Sequence, residues 1–131
     1  MAKITMTGGQ LYILTPFFLG LENKDLKFSI RRRLIRLNEK MKIEYDAVRE
    51  EILKIMKEYC DKDSDGNPIV TDDRYTFTQG QLNDVNTKMF EVESSIIELE
   101  YEEFTLDEKY FDDFKCDRSL IELIENYFLE K

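Results

Sequence analysis

The stretch that most constrains this chain is residues 29–59, where apolar side chains recur at steps of three or four with no glycine or proline between them. The recurring residues are Ile30, Leu34, Leu37, Met41, Tyr45, Val48, Ile52, Ile55 and Tyr59. This spacing predicts one long amphipathic α-helix. At 1.5 Å per residue the helix is roughly 46 Å long, whereas a compact chain of this length is about 35–40 Å across. We therefore expect one domain, residues 1–131, whose other elements cover this helix.

The residues before the long helix predict a strand and an apolar segment. Lys3–Thr7 alternates apolar and polar residues, as a half-buried strand does. The pair Gly8-Gly9 then predicts a turn, and residues 10–20 form a short helix or an irregular apolar segment. Candidate N-caps for the long helix are Asn23, Asp25 and Ser29.

The residues after the long helix predict a hairpin, a second helix and a further strand. Pro68–Phe77 predicts a β-hairpin with its turn at Thr71–Arg74. Thr78 and Gln81 have the spacing of a capping box and open a helix of about 17 residues. Its apolar stripe is Leu82, Val85, Met89, Val92 and Ile96. Such a helix lies antiparallel along the C-terminal part of the long helix and cannot reach its other end.

The last third of the chain predicts a strand and helices. Residues 97–102 alternate apolar and glutamate side chains, which predicts a strand pairing with Lys3–Thr7 or with the hairpin. Thr105–Glu108 has capping-box spacing and predicts a helix through Phe114, and Asp117 is the expected cap of a final helix. The predicted class is therefore α+β: a long central helix with an antiparallel second helix, a small β-sheet and hairpin, and C-terminal helices.

The sequence offers little for catalysis. It contains no histidine, which removes Ser-His and Cys-His chemistry, and it carries no cofactor fingerprint. Cys60 and Cys116 are too few for a thiolate zinc site, so we expect reduced, buried thiols, with a single bridge between them as the alternative. The longest apolar run, Leu11–Leu21, is too short to cross a bilayer. These features predict a cytoplasmic protein that is not an enzyme and has no cofactor.

A partial calcium motif follows the long helix. Asp61, Asp63, Asp65 and Gly66 match the first half of an EF-hand loop. The second half does not match, because Pro68 stands at position 8 and the shorter Asp72 replaces glutamate at position 12. The three aspartates are therefore a weak calcium candidate, and the pattern favours a polar stop before the hairpin with no metal.

Basic residues are concentrated at the start of the long helix. Residues 24–42 hold eight basic and two acidic residues, a local charge of +6 in a chain of −9. The candidate binding residues are Arg31, Arg32, Arg33, Arg36 and Lys40. Two interpretations stay open: the acidic segment 91–113 pairs with them, or they recognise a phosphate-bearing ligand or an acidic partner surface. The overall negative charge argues against direct nucleic-acid binding.

The order of these features resembles a family of small uncharacterised proteins of Gram-positive phages and prophages. The resemblance covers roughly residues 3–104: a short strand, a helix beginning RRR, the segment KEYCDKDSDGNPI, a hairpin ending YTF, and a helix leading into IELEYEEF. It implies a viral context and carries no catalytic residues. We expect a non-enzymatic phage-encoded binding protein that inhibits a host defence protein by direct contact in the host cytoplasm. The alternatives are a sponge for a phosphorylated or nucleotide signal, and a virion or tail assembly chaperone that could form a homo-oligomer through the uncovered stripe of the long helix.

Overall fold

The computed structural model describes residues 1–130 and has the α+β architecture that the sequence predicts. The elements in chain order are β1 (Ala2–Thr7), α1 (Gly8–Leu21), α2 (Phe28–Tyr59), β2 (Val70–Thr71), β3 (Arg74–Tyr75), α3 (Gln79–Glu93), β4 (Ile96–Tyr101), a 3₁₀ turn (Glu108–Phe111) and α4 (Arg118–Tyr127).

Helix α2 is the predicted long helix, and its buried side is the predicted stripe. Leu34, Leu37 and Met41 are almost fully buried in the main core, and Val48, Ile52 and Ile55 continue the stripe towards the C-terminus. The predicted caps at Asn23, Asp25 and Ser29 are wrong. Lys27 occupies the N-cap position without a side-chain bond, because burial of Leu26 sets where the helix begins and places Ser29 inside the first turn. The free N–H groups of that exposed turn are open to water.

The glycine pair begins a helix, so the predicted turn at Gly8-Gly9 is wrong. Thr7 and Gln10 form a capping box: the Gln10 N–H donates to Thr7 Oγ1 at 3.1 Å, and the Thr7 N–H donates to Gln10 Oε1 at 2.9 Å. These two bonds satisfy donors that a helix start leaves free. Residues 8–21 are therefore helical throughout, including the exposed Pro16.

Strand β4 pairs with β1, the first of the two partners that the sequence allowed. The antiparallel register runs from Ala2 opposite Tyr101 to Thr7 opposite Ile96. Because side chains alternate along a strand, one face buries Ile4, Met6, Leu99 and Tyr101 while Glu98 and Glu100 face water. The predicted hairpin forms separately as β2 and β3, with Asp72 and Asp73 at positive φ in its turn. Aspartate tolerates that conformation better than most residues.

Helix α3 lies antiparallel to the C-terminal half of α2. Its first end is tied to the end of α2, since the Thr78 N–H donates to Asp61 Oδ1 at 3.1 Å, while Met89 and Glu93 reach the level of Val48–Met56. The predicted capping box of Thr78 and Gln81 is present. The predicted stripe is only partly right: Val85 is buried, but Leu82 and Ile96 are exposed. Helix α3 ends at Glu93, so Ile96 belongs to β4.

The C-terminal residues close the main core. The predicted helix from Thr105 to Phe114 is reduced to the 3₁₀ turn, which Asp107 caps through the Lys109 N–H. Asp117 caps α4 as predicted, with its Oδ1 accepting from the Leu120 N–H at 3.0 Å. The side chains that α4 and its C-cap contribute to the core are Leu120, Leu123, Ile124 and Phe128. Ile55, Cys60 and Val85 are buried outside this main core.

Candidate interaction surface

The basic residues lie along the N-terminal half of α2, beside the end of β4. Arg36 Nη1 is 2.8 Å from Glu102 Oε1, and Arg33 Nε is 3.4 Å from Glu102 Oε2, so one carboxylate pairs with two guanidinium groups. Glu102 follows β4 directly and belongs to the acidic segment 91–113. For Arg33 and Arg36, the intramolecular pairing that the sequence left open is therefore present.

Three of the basic side chains donate hydrogen bonds to backbone carbonyl groups. Arg33 also donates to the Glu103 carbonyl at 2.8 Å, and Lys40 donates to the Glu100 carbonyl. Arg31 donates to the Lys24 carbonyl, which closes the loop before α2. Long basic side chains of α2 thus satisfy carbonyl groups in and just after β4, and this role needs no external ligand.

Arg32 differs from the other candidate residues. It is exposed, and among residues 1–130 it makes neither an ion pair nor a side-chain hydrogen bond. Its position on the outer side of α2 explains this, because the acidic residues after β4 contact the adjacent flank that carries Arg33 and Arg36. Of the five predicted residues, Arg32 is the one whose charge is fully available to a partner.

Arg32 belongs to a row of side chains on the face of α2 that points away from the core. We call this row the exposed strip: Phe28, Arg32, Ile35, Arg36, Glu39 and Ile43. At 3.6 residues per turn these positions share one side of the helix, opposite Leu34, Leu37 and Met41. Phe28 is 79% exposed and Ile43 is 69% exposed. From Phe28 to Ile43 the strip is about 22 Å long.

Two of the three apolar members of the exposed strip, Phe28 and Ile43, were not predicted from the sequence. Phe28 precedes the helix predicted for residues 29–59, and Ile43 lies outside the recurring apolar stripe. The signal was nevertheless present, because a large apolar residue half a turn away from a buried stripe must face solvent or a partner.

A cleft of about 710 Å³ lies beside Arg33, between the start of β1 and the end of α4. Its lining contains two positively charged residues, Lys3 and Arg33, and two negatively charged residues, Glu103 and Glu130. Burial raises the pKa of the Tyr101 phenol in this cleft, and Glu103 and Tyr127 raise it further. Because the charges of the lining cancel, the cleft does not present the converging cations that a phosphate needs.

Two aspartates of the partial calcium motif, Asp61 and Asp63, accept hydrogen bonds from the local backbone. Asp61 Oδ1 accepts from the Thr78 N–H, and Asp63 Oδ1 accepts from the N–H groups of Asp65 and Asn67 at 2.9 and 3.0 Å. The segment that follows is the hairpin of β2 and β3, where an EF-hand would have a helix. Within residues 1–130, no three acidic, cysteine or histidine side chains are gathered closely enough to hold a metal ion.

Cys60 and Cys116 are both free thiols. Cys60 is buried near the end of α2, and its Sγ lies 3.4 Å from the Lys57 carbonyl oxygen. Burial raises the pKa of the half-buried Cys116 thiol, and the neighbouring Asp117 adds to the shift. Cys116 is therefore protonated at neutral pH and a poor nucleophile.

Comparison with known proteins gives no relative from which a site can be transferred. No protein-family model, curated protein or solved structure matches this chain. In residues 1–130, no helix combines the length and the apolar character needed to cross a lipid bilayer.

Proposed function

We propose that this chain is a non-enzymatic, phage-encoded binding protein that inhibits a host defence protein by direct contact through the exposed strip. The observation that carries the proposal is the composition of that strip: an aromatic ring, an isoleucine and an unpaired arginine, all facing solvent on one rigid helix. Aromatic residues and arginine are enriched in protein interfaces and provide most of their binding energy.

The rigidity of α2 supports a role in binding. The buried side of the helix is fixed by the main core, so the strip on its other side is held in one geometry before any partner arrives. A surface that is ordered in advance loses little conformational entropy on binding. A single exposed apolar residue is ordinary, but two side chains more than two-thirds exposed on either side of arginines form a recognisable contact surface.

The alternative of a sponge for a phosphorylated or nucleotide signal has less support. A phosphate site needs several free cations that converge on one point. Glu102 already pairs with Arg33 and Arg36, and Lys40 and Arg31 donate to backbone carbonyls. A phosphate ligand would have to displace these contacts, whereas a protein partner can use the strip as it stands.

The phage context and the inhibition of a defence protein come from the resemblance described above. A small acidic protein with an exposed contact surface suits inhibition by occlusion. In this proposal the protein meets its partner in the host cytoplasm.

The test is a pull-down from host lysate with a tagged bait and a strip variant, Phe28→Ser/Arg32→Glu/Ile43→Ser. All three side chains are exposed, and Arg32 forms no ion pair or side-chain hydrogen bond within residues 1–130, so we expect the variant to fold. The matched control carries the same types of change elsewhere: Phe90→Ser, Arg49→Glu and Val70→Ser, all at exposed positions.

We expect wild type and control to recover the same host protein and the strip variant to lose it. Plaque counts on a host that expresses the recovered defence protein should rise with wild type and control but not with the strip variant. Recovery of the same partner by all three baits would contradict the assignment of the strip. Recovery of no host protein by wild type would contradict the proposed function itself.

A further inference from the structure

A second surface of this molecule is an apolar groove of about 470 Å³ between α1, α2, α3 and the start of α4. Ile52 and Val48 form part of its lining from α2, and the half-buried Met56 and Met89 add flexible thioethers. Ile13 also lines the groove and is 47% exposed. The structure thus leaves a concave apolar surface without a partner inside the chain.

The groove carries negative charge at its rim. Glu93 is exposed and forms no ion pair among residues 1–130, and Asp117 lines the same groove. The Leu120 N–H and the Ser119 hydroxyl donate to the Asp117 carboxylate and lower its pKa, so Asp117 is ionised at neutral pH. An occupant that fits this groove has an apolar body with positive charges next to it.

The same chain displays such a feature at the first residue of α2. Phe28 is 79% exposed, and its sequence neighbours Lys24, Lys27, Arg31 and Arg32 are all basic. We call Phe28 with these cations the basic knob. Phe28 cannot enter the groove of its own chain, because Phe28 and Val48 are 20 residues apart on one continuous helix, a separation of about 30 Å.

We propose that the basic knob of one copy docks in the groove of a second copy, with Lys27 and Arg32 facing Glu93 and Asp117. The knob and the groove are different surfaces about 30 Å apart, so each copy can offer its knob to one neighbour and its groove to another in a head-to-tail contact. A reciprocal two-fold pair would instead stop at two copies. Repetition of a head-to-tail contact gives a ring or an open chain of copies. The proposal stands without the proposed function, although Phe28 and Arg32 belong to both surfaces and a docked copy competes with a host partner for them.

The experiment measures the molar mass of the full-length chain by sedimentation velocity, over a wide concentration range at low and high salt. A head variant carries Phe28→Ser and Arg32→Glu, and a groove variant carries Ile13→Ser and Glu93→Lys. The four side chains are exposed, which keeps the fold intact. We expect the wild-type mass to rise from monomer past dimer with concentration, and the association to weaken with salt because screening reduces the attraction between charges.

Mixing the two variants separates a head-to-tail contact from other modes. Each variant alone should remain a monomer, whereas the mixture should form a one-to-one complex that grows no further, because each variant retains one intact surface. A wild-type protein that stays monomeric at every concentration would overturn the proposal and leave the groove to a basic helix of another protein. A mixture without a complex would overturn it too, as would a self-associating head variant.

The groove variant also separates this inference from the proposed function. Its exposed strip is unchanged, so in the lysate pull-down it should still recover the host protein. Loss of self-association with retained capture would support both proposals, and a monomeric wild type that captures a host partner would overturn only the head-to-tail contact.

Discussion

At the scale of single residues, Gly8 is the glycine around which the fold leaves least room. A Cβ added there would lie 2.4 Å from the Val92 carbonyl oxygen and 2.9 Å from Ser95 Oγ, and the Gly8 N–H donates to the Ser95 carbonyl at 2.8 Å. The start of α1 is thus pressed against the junction between α3 and β4. Because the nearest atom belongs to backbone, the neighbour cannot move aside without shifting an element.

We expect Gly8→Ala to lower the free energy of unfolding by about 1–3 kcal/mol, as overpacking does in other proteins. Gly20→Ala is the matched control, since Gly20 is also in α1 and a Cβ there meets no atom within 4 Å. Alanine is the better helix former, so Gly20→Ala should raise stability by up to about 1 kcal/mol. Urea unfolding of the three proteins measures both values. Equal effects of the two substitutions would contradict the close approach at Gly8.

Asp117 predicts a dependence of stability on pH. The Leu120 N–H and the Ser119 hydroxyl hold the pKa of its carboxyl below the ordinary value. A carboxyl with a lower pKa in the folded state contributes stability above its unfolded pKa and loses it as pH falls towards the folded pKa. The stabilisation is therefore complete above about pH 5 and declines as the pH falls below it.

Asp117→Asn keeps a good N-cap but removes this titration. We expect the difference in stability between wild type and the variant to shrink between about pH 5 and pH 2. Thermal unfolding across this range measures the difference, and the other carboxyl groups cancel because both proteins contain them. A difference that stays constant with pH would show that the Asp117 carboxylate does not stabilise α4.

At the scale of elements, the two halves of α2 pack against different parts of the protein. Its N-terminal half is covered by α1, the β1–β4 sheet and the C-terminal segment, whereas its C-terminal half is covered mainly by α3. Helix α3 has one buried residue, Val85, and residues 62–74 between α2 and α3 are exposed throughout. We call the part of the chain from residue 55 to residue 93 the arm. Because few apolar side chains are buried in this part of the chain, its local opening requires little free energy.

We expect amide hydrogen exchange in α3 to be much faster than exchange in α2 around Leu34–Met41. The physical reason is that α3 can detach while the main core stays closed. Exchange measured by mass spectrometry on peptides from both helices gives the comparison, and the peptide over α4 provides an internal reference for the core. Similar protection in α3 and in the N-terminal half of α2 would mean that the arm and the core open together.

Several elements that the sequence predicted correctly are specified by short-range interactions. The capping box of Thr78 and Gln81 and the cap at Asp117 involve residues three apart, and the alternation of β4 is local as well. The α2 start was mispredicted because burial of Leu26 decides it, and Thr105 lost its capping role to Asp107. The pairing of Arg36 with Glu102 joins residues 66 apart, so the sequence left it as one of two alternatives.

At the scale of the whole molecule, the residues after Thr105 complete the core. Leu106, Leu123 and Phe128 all belong to the main hydrophobic cluster. The Leu106 N–H also donates to the Phe128 carbonyl at 2.7 Å, which ties the strand-like segment after β4 to the end of α4. The C-terminal segment is therefore part of the domain and not an appendage to it.

Phe128 connects this segment to three other aromatic side chains of the core. It is fully buried, and its ring lies 4.8 Å from Phe18, 5.5 Å from Phe104 and 6.0 Å from Tyr101, measured between ring centroids. It thus joins α1, the end of β4 and α4 in one aromatic cluster. Removing the ring leaves a cavity at the centre of the cluster in addition to the lost burial.

We expect Phe128→Ala to lower the free energy of unfolding by about 3–5 kcal/mol, a large part of the roughly 5–15 kcal/mol that stabilises a typical domain. Phe90→Ala is the control, because Phe90 is 68% exposed and its removal opens no cavity; it should change stability by less than about 0.5 kcal/mol. Urea unfolding followed by near-ultraviolet circular dichroism reports on the packing of the aromatic rings directly. Phe128→Leu retains part of the buried volume and should fall between wild type and Phe128→Ala. If Phe128→Ala were as stable as Phe90→Ala, the C-terminal segment would not be a structural part of the core, and residues 1–104 would fold without it.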